Sequence, residues 1–305
     1  IPSIRKDNIL KRRTPERLIA GLIAASILAK CGCELRGVPG FFRIDGVWCF
    51  NLEPGMLIPT RNAVGQIVAL QVRRDKPSDW NDYCKRTGQN KEFLRYMTIS
   101  AKGLPDGVTT DISQAHFPLG NDSLDDPETA VCITEGPLKA DAAVELKGNR
   151  KMFFIALHGT SNTKTLPAIF AWLKGKGVET VFNVFDMDKV TNVNVAKAGK
   201  RVRAIAAGYG IKLAEKCWDA EYAQQKLSEL NAICCEHGIF VPTTFNVFTD
   251  LANVSQELAK RNIRHSRVKN ADGLEEKHYW SDKTKGIDDY LLSIRTATGG
   301  EGASA

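Results

Sequence analysis

Residues 180–190 read TVFNVFDMDKV, a hydrophobic run that ends in two aspartates separated by one residue. The hydrophobic part, from Val181 to Phe185, is typical of a buried β-strand. Asp186 and Asp188 follow it directly. Asp is common in the turns that end strands, and carboxylate oxygens are also ligands for divalent cations. The spacing by itself leaves both interpretations open.

The sequence around this stretch alternates strand-like and helix-like segments from residue 131 onward. Three short apolar segments, AVCITE, MFFIALHGT and VETVFNVFD, are each followed by a helical pattern. This alternation predicts an α/β fold with a parallel sheet covered by helices on both faces. Ligands of such sheets gather at the carboxyl ends of the strands, where Glu135, His158 and the pair Asp186 and Asp188 are expected. This common location favours the metal interpretation of the two aspartates.

Residues 39–127 have a different pattern and are predicted to form a smaller, mainly β subdomain. FFRIDGVWCF has a short Asp45-Gly46 turn between two apolar arms, which predicts a hairpin. GMLIPTRNAVGQIVALQVRRD predicts two strands around a turn near Asn62–Gly65, and FLRYMTIS predicts a further strand. The polar residues 75–88 are expected to form an exposed loop.

The expected organisation has four parts along the chain. They are a basic, helical amino-terminal segment (1–38), the β-rich subdomain (39–127), the α/β domain with an insertion at about 220–270 (128–295) and a flexible tail (296–305). A solvated helix face is the favoured interpretation of the basic residues near the amino terminus, and phosphate contact is the alternative. The sequence begins with Ile1, so we expect a fragment or a processed protein.

Composition narrows the class of protein. The chain has 305 residues, 43% of them hydrophobic, with a formal net charge of +7 and a pI near 8.9. This basic balance suits a nucleic-acid partner. No apolar run reaches the roughly 18 residues that span a bilayer, and no secretory signal is visible, so no membrane association and a cytoplasmic location are expected.

The eight cysteines give little support for a zinc site. No two of them form a Cys-x-x-Cys pair, and Cys31, Cys33 and Cys49 have no clear fourth ligand. Reduced thiols in a cytoplasm-like compartment are therefore the favoured interpretation. A P-loop is also absent from the sequence, because the residue directly before Lys164 in GTSNTKT is not the glycine that this motif requires.

Four motifs taken together resemble the Toprim domain. They are ITEGPLKADAA (133–143), ALHGTSN (156–162), VFDMDKVTN (184–192) and KGIDDYL (285–291). Toprim is the metal-binding fold shared by bacterial DnaG-type primases, topoisomerases and some nucleases. The residues of these motifs are most similar to those of primase-like replication proteins of phages, plasmids and mobile elements. Residues 55–75 also resemble the strand pair of the primase amino-terminal subdomain.

The resemblance implies roles for five acidic residues. Glu135 matches the Toprim glutamate that acts in acid/base chemistry or as a metal ligand. Asp186 and Asp188 match the pair that holds Mg²⁺, or Mn²⁺ in its place. Asp288 and Asp289 match a further acidic motif that would extend the metal site. Their alternative is the start of a helix, where the helix dipole favours acidic side chains.

The resemblance implies a metal-dependent, primase-type nucleotidyltransferase that synthesises primers on single-stranded DNA from nucleoside triphosphates, with a replicative helicase as a further candidate partner. Five basic residues are expected to contact nucleic acid: Arg61, Arg73, Arg74, Arg95 and Lys139. The zinc-binding domain that precedes the core of DnaG-type primases is not visible in the sequence. A Toprim nuclease and a non-catalytic nucleic-acid-binding module of a replication protein are therefore the alternatives.

Overall fold

The computed structural model describes most of the chain outside the predicted insertion. The described residues are 15–51, 54–75, 94–110, 114–190, 193–216, 218, 228, 232, 234–238, 260, 267–269, 275–277 and 284–297. The basic segment before residue 15, the predicted loop from residue 76 onward, most of the insertion and the tail after residue 297 lie outside them. The chain divides into two compact units, Ile1–Ile112 and Ser113–Ala305.

The first unit contains one helix and two small antiparallel sheets. Its elements are α1 (Pro15–Lys30), β1 (Phe41–Ile44), β2 (Val47–Phe50), β3 (Gly55–Arg61), β4 (Ile67–Arg74) and β5 (Tyr96–Thr98). Strands β1 and β2 form a hairpin, and the other three strands pair in the order β3-β4-β5. The predicted hairpin is confirmed, as is the predicted strand pair around Asn62–Gly65.

The hairpin turn has a local cause in its two central residues. Asp45 and Gly46 have φ angles of 50° and 85°, so both adopt the left-handed conformation of a type I′ turn. Helix α1 packs closely on the second arm of this hairpin at Gly21. A side chain at that position would collide with the backbone carbonyl of Phe50. Glycine therefore allows the helix to approach the hairpin.

The second unit is an α/β domain. Its elements are β6 (Ala130–Glu135), α2 (Pro137–Leu146), β7 (Met152–Leu157), α3 (Leu166–Gly175), β8 (Thr180–Asn183), a 3-10 helix (Met187–Val190), α4 (Val193–Gly208), β9 (Lys212–Glu215), β10 (Arg267–Lys269), β11 (Glu275–Lys277) and α5 (Ile287–Ala297). Strands β10 and β11 form a separate antiparallel pair. The other four pair in parallel in the order β7-β6-β8-β9.

Helices cover both faces of this parallel sheet. Ile133 and Ile155 belong to the core formed with α3 and α4, whereas Cys132 and Phe154 belong to the core formed with α2 and α5. Successive strand residues thus alternate between two buried faces, which explains why the strands read as continuous apolar runs. The predicted fold class is confirmed: a helix-flanked parallel sheet follows a smaller, mainly β part with a helical start.

Strand β9 was not among the predicted elements. It has four residues, KLAE, of which Leu213 alone is buried, so the segment has no apolar run that would indicate a strand. Its backbone pairs with β8, and this contact between distant parts of the chain defines the strand. Among the described helices, none is both long and apolar enough to cross a bilayer.

Candidate metal centre

The predicted acidic residues lie where the strand order of the parallel sheet reverses. Glu135 is the last residue of β6, and Asp186 and Asp188 follow its neighbour β8. The chain after β8 continues alongside β6, since the Val184 amide donates to the Ile133 carbonyl over 2.9 Å. The chain then turns across the carboxyl edge of the sheet, which is the usual ligand position in open α/β sheets.

Three carboxylates converge at this edge. One oxygen each from Glu135, Asp186 and Asp188 lies within 4.8 Å of the others. Asp186 and Asp188 are only 4% and 6% exposed, while Glu135 is half-buried. This group is the only set of three or more His, Cys, Asp or Glu ligands found among the described residues. Because all the donors are oxygens, the group could hold a hard divalent cation.

Tight local turns hold the three carboxylates in position. Gly136, directly before α2, has a φ of 88°, a conformation that favours glycine and turns the chain sharply after Glu135. On the other side, Met187 is fully buried between the two aspartates. The Met187 amide donates to the Lys285 carbonyl over 2.9 Å, so the aspartate turn is fixed to the segment before α5.

Two lysines neutralise much of the negative charge of this group. Lys139 forms an ion pair with Asp186 and lies 3.7 Å from a Glu135 oxygen. Lys285 lies 3.2 Å from Asp188 and 3.7 Å from Asp186. Lys139 was predicted to contact nucleic acid, and that role stays a prediction. Lys285 was not predicted, because the resemblance implies roles only for the acidic residues of its KGIDDYL motif.

The charges of the site shift its protonation equilibria. Burial, followed by repulsion from Asp186, raises the pKa of Glu135 above its usual range. Burial tends to lower the pKa of both lysines, but the adjacent carboxylates outweigh it, so the pKa of Lys139 and that of Lys285 are raised. Both ammonium groups are therefore held in their charged form.

Asp288 and Asp289 lie beside this group but are not part of it. Both are in the first turn of α5, as expected from the helix interpretation. An Asp289 oxygen accepts a hydrogen bond from the Gly286 amide over 3.0 Å. Burial, followed by the charge of Asp289, raises the pKa of Asp288. Their extension of the metal site stays a prediction.

A buried lysine links the aspartate turn to the ends of two strands. Lys189 is 6% exposed, and its ammonium donates to the carbonyls of Asn183 (3.1 Å) and Lys216 (2.6 Å). It also lies 3.5 Å from Glu215, which pairs with Arg203 as well. This network could not be predicted from the residues, because a lysine in a polar turn is usually exposed.

The third predicted strand end, after β7, carries His158, which lies near enough to the buried His116 to feel its charge. His116 is 1% exposed, and its Nε2 lies 2.9 Å from an Asp141 oxygen. Burial, followed by the charge of His116, lowers the pKa of His158 to about 4. His158 is not part of the carboxylate group.

The cysteines that the structure describes are all free thiols. Cys49, Cys132 and Cys234 are buried, whereas Cys31, Cys33 and Cys235 are exposed. Cys84 and Cys217 lie outside the described residues.

The four predicted arginines all lie in the first unit, and their environments differ. Arg61 donates to the Gly65 carbonyl over 3.0 Å, and Arg74 donates to the Leu94 carbonyl over 3.4 Å. Arg95 is exposed in the bend before β5.

Arg73 is exposed on the central strand of its sheet, paired with Met56 on one side and Tyr96 on the other. Both neighbours are also exposed, at 44% and 50%. A cation beside an accessible aromatic ring is typical of surfaces that bind single strands.

We expect Arg73→Glu to weaken binding of single-stranded DNA. Each lost phosphate contact should reduce the slope of log affinity against log salt by about 0.7. Fluorescence anisotropy with a labelled oligonucleotide, repeated over a range of salt, measures both quantities. Lys30→Glu is the matched control, because it makes the same charge change at an exposed site of the same unit. Equal losses in the two variants would contradict a specific role for Arg73.

Comparison with known proteins finds a similarity at the level of structure alone. No protein-family model matches the chain, and no curated protein matches it either. The chain is similar to the crystal structure of the Aquifex aeolicus primase (zinc-binding and RNA polymerase domains), with 12% sequence identity and a TM-score of 0.38. The similarity covers 73% of this chain and 43% of that one, so the chain spans less than half of the primase structure.

Proposed function

We propose that this chain is a metal-dependent nucleotidyltransferase of the primase type, with a Toprim-like domain, acting on single-stranded DNA and nucleoside triphosphates. The observation that carries the proposal is the convergence of Glu135, Asp186 and Asp188 at the carboxyl edge of a parallel sheet. Burying three carboxylates together is costly, because each loses its hydration and repels the others. Lys139 and Lys285 offset part of that cost, and a cation-dependent function accounts for keeping all three carboxylates together.

The donor set fits magnesium or manganese. Magnesium prefers oxygen ligands, keeps several waters and is usually held by one or two carboxylates plus substrate phosphates. Asp186 and Asp188 are the residues that would hold it, because both are buried and lie on one short turn. When bound, such an ion stabilises the charge on the attacking and leaving oxygens of phosphoryl transfer.

Glu135 is the residue best suited to accept a proton. Its carboxyl group lies within 4.8 Å of the two aspartates that would hold the ion, and its side chain is partly exposed, so a ligand bound there can reach it. In primer extension it would take the proton of the attacking hydroxyl group. Asp186 and Asp188 would hold the ion, whose charge would stabilise the oxygens of the reaction.

The motif resemblance supports the choice of substrates. All four Toprim-like motifs belong to the second unit, and three of them supply the carboxylates and lysines of the site. The residues of these four motifs suggest primase-like replication proteins of phages and plasmids as relatives. A replicative helicase as partner stays a prediction.

The test of the proposed function is a gel assay. Wild-type protein is incubated with single-stranded DNA, labelled nucleoside triphosphates and Mg²⁺ or Mn²⁺, and the products are separated by size. We expect labelled, extended products that disappear when EDTA is added. Asp188→Asn should abolish them, whereas Asp125→Asn, an exposed site at the opposite edge of the sheet, should not.

The other outcomes of this assay distinguish the alternatives. Shortened DNA in place of labelled products would mean that the site is a nuclease, since the same carboxylates suit phosphodiester cleavage. Unchanged DNA that is nevertheless bound would mean a non-catalytic binding module. Either result would contradict primer synthesis.

A further inference from the structure

The two lysines of the site occupy the oxygens that a metal ion would need. Asp186 is contacted on both of its oxygens, by Lys139 on Oδ1 and by Lys285 on Oδ2. Lys285 also contacts Asp188, and Lys139 also lies near Glu135. Each of the three carboxylates therefore has an ammonium partner.

The backbones of both lysines are fixed. Lys139 lies in the first turn of α2, where its amide donates to the Gly136 carbonyl over 3.2 Å. The Lys285 carbonyl accepts the hydrogen bond from Met187, the residue between the two aspartates. The side chains of both lysines are only about a third exposed, at 31% and 28%. These are built-in ion pairs, unlike a transient pair between two exposed side chains.

A divalent cation and these ammonium groups exclude one another. They require the same carboxylate oxygens, and like charges a few ångströms apart repel strongly where water is scarce. Two ammonium groups carry the same charge as one divalent ion. If the ion replaces the two ammonium groups, the summed charge of the three carboxylates and their bound cations therefore stays the same.

The displaced ammonium groups then need a new anion. Each is partly buried, and a partly buried charge without a partner is costly. The phosphate groups of a nucleotide can supply the missing negative charge, because an ammonium group binds phosphate well. The lysines would thus move from carboxylate to phosphate as the ion enters.

We propose that Lys139 and Lys285 are internal competitors of the divalent cation and make its binding depend on a phosphate-bearing ligand. This inference rests on the proposed function, because it requires Asp186 and Asp188 to hold a metal ion. By linkage, the phosphate ligand must tighten metal binding by the same factor by which the metal tightens phosphate binding. The site is then selective for a metal–polyphosphate pair over free metal.

The test compares Mn²⁺ binding with and without inorganic pyrophosphate at pH 8. The electron paramagnetic resonance signal of Mn²⁺ measures the concentration of the free ion. A titration of Mn²⁺ with pyrophosphate in the absence of protein corrects for the Mn²⁺ that pyrophosphate binds in solution. We expect Lys285→Met to bind Mn²⁺ alone on the order of tenfold more tightly than wild type, because one nearby positive charge is removed. We also expect pyrophosphate to tighten its Mn²⁺ binding much less than in wild type.

Lys139→Met should behave in the same way, and the double variant should show the larger gain. Lys197→Met is the matched control, since Lys197 is exposed on α4. Lys285→Gln and Lys139→Gln replace any methionine variant whose thermal melting shows loss of the fold. A purely structural role of the lysines predicts weaker Mn²⁺ binding in the variants, which is the opposite sign.

Two negative results have different meanings. If wild type and variants bind Mn²⁺ equally well, the lysines are not competitors, and the metal centre itself stands. If no protein binds Mn²⁺ under any condition, both the inference and the metal-dependent function are wrong.

Discussion

Glu135→Gln is expected to reduce nucleotide transfer by about 10²–10⁴-fold, the usual contribution of a general base. The amide has nearly the shape of the carboxylate but cannot accept a proton. The melting temperature should change little, because the lost ion pair with Lys139 is offset by relief of the repulsion from the two aspartates. Primer extension rates, thermal melting and DNA binding are measured on the same preparations.

Glu145→Gln is the matched control for this experiment. It makes the same chemical change at an exposed position near the end of α2, away from the acidic group. Normal activity of Glu135→Gln in the presence of magnesium would remove Glu135 from the catalytic residues. A large fall in its melting temperature would instead give Glu135 a structural role.

The part of this fold that could be predicted from sequence is the part that depends on local patterns. The apolar runs of β6, β7 and β8 are buried on both faces, so each one indicates a parallel strand without reference to the others. The hairpin follows in the same way from Asp45-Gly46, since two left-handed residues determine the turn. Strand β9 lacks such a pattern and exists through its pairing with β8.

The same distinction applies to the site. The position of Asp186 and Asp188 after a strand predicted their meeting with Glu135, because parallel strands end at one edge. The ion pairs of Lys285 with these aspartates could not be predicted, since they depend on how the segment before α5 returns to the sheet. The buried Lys189 was missed for a similar reason: its partners are backbone carbonyls, which every residue has.

Asp186→Asn is the second variant with a large expected effect. Loss of a residue that only hydrogen-bonds a metal ligand typically lowers metal affinity by about 10–100-fold. Because Asp186 is a proposed ligand itself, we expect a larger fall in the affinity of Asp186→Asn for divalent metal. The direct reason is that Asp186 is one of the two proposed ligands of the ion, and asparagine lacks the negative charge of the carboxylate. Mn²⁺ binding, measured by electron paramagnetic resonance or calorimetry, gives the affinity.

This variant should also be less stable than Asp188→Asn. Asp186→Asn deprives both Lys139 and Lys285 of a charged partner, whereas Asp188→Asn removes a charged partner of Lys285 but leaves the ion pair of Lys139 with Asp186. Because both ammonium groups are partly exposed, the loss should be smaller than the about 3–5 kcal/mol typical of fully buried pairs. Urea unfolding of the two variants gives the comparison, and Lys139→Met combined with Asp186→Asn should recover part of the loss. Equal stability of the two single variants would show that Asp186 does not hold the lysines in place, and wild-type metal affinity in Asp186→Asn would remove it from the metal ligands.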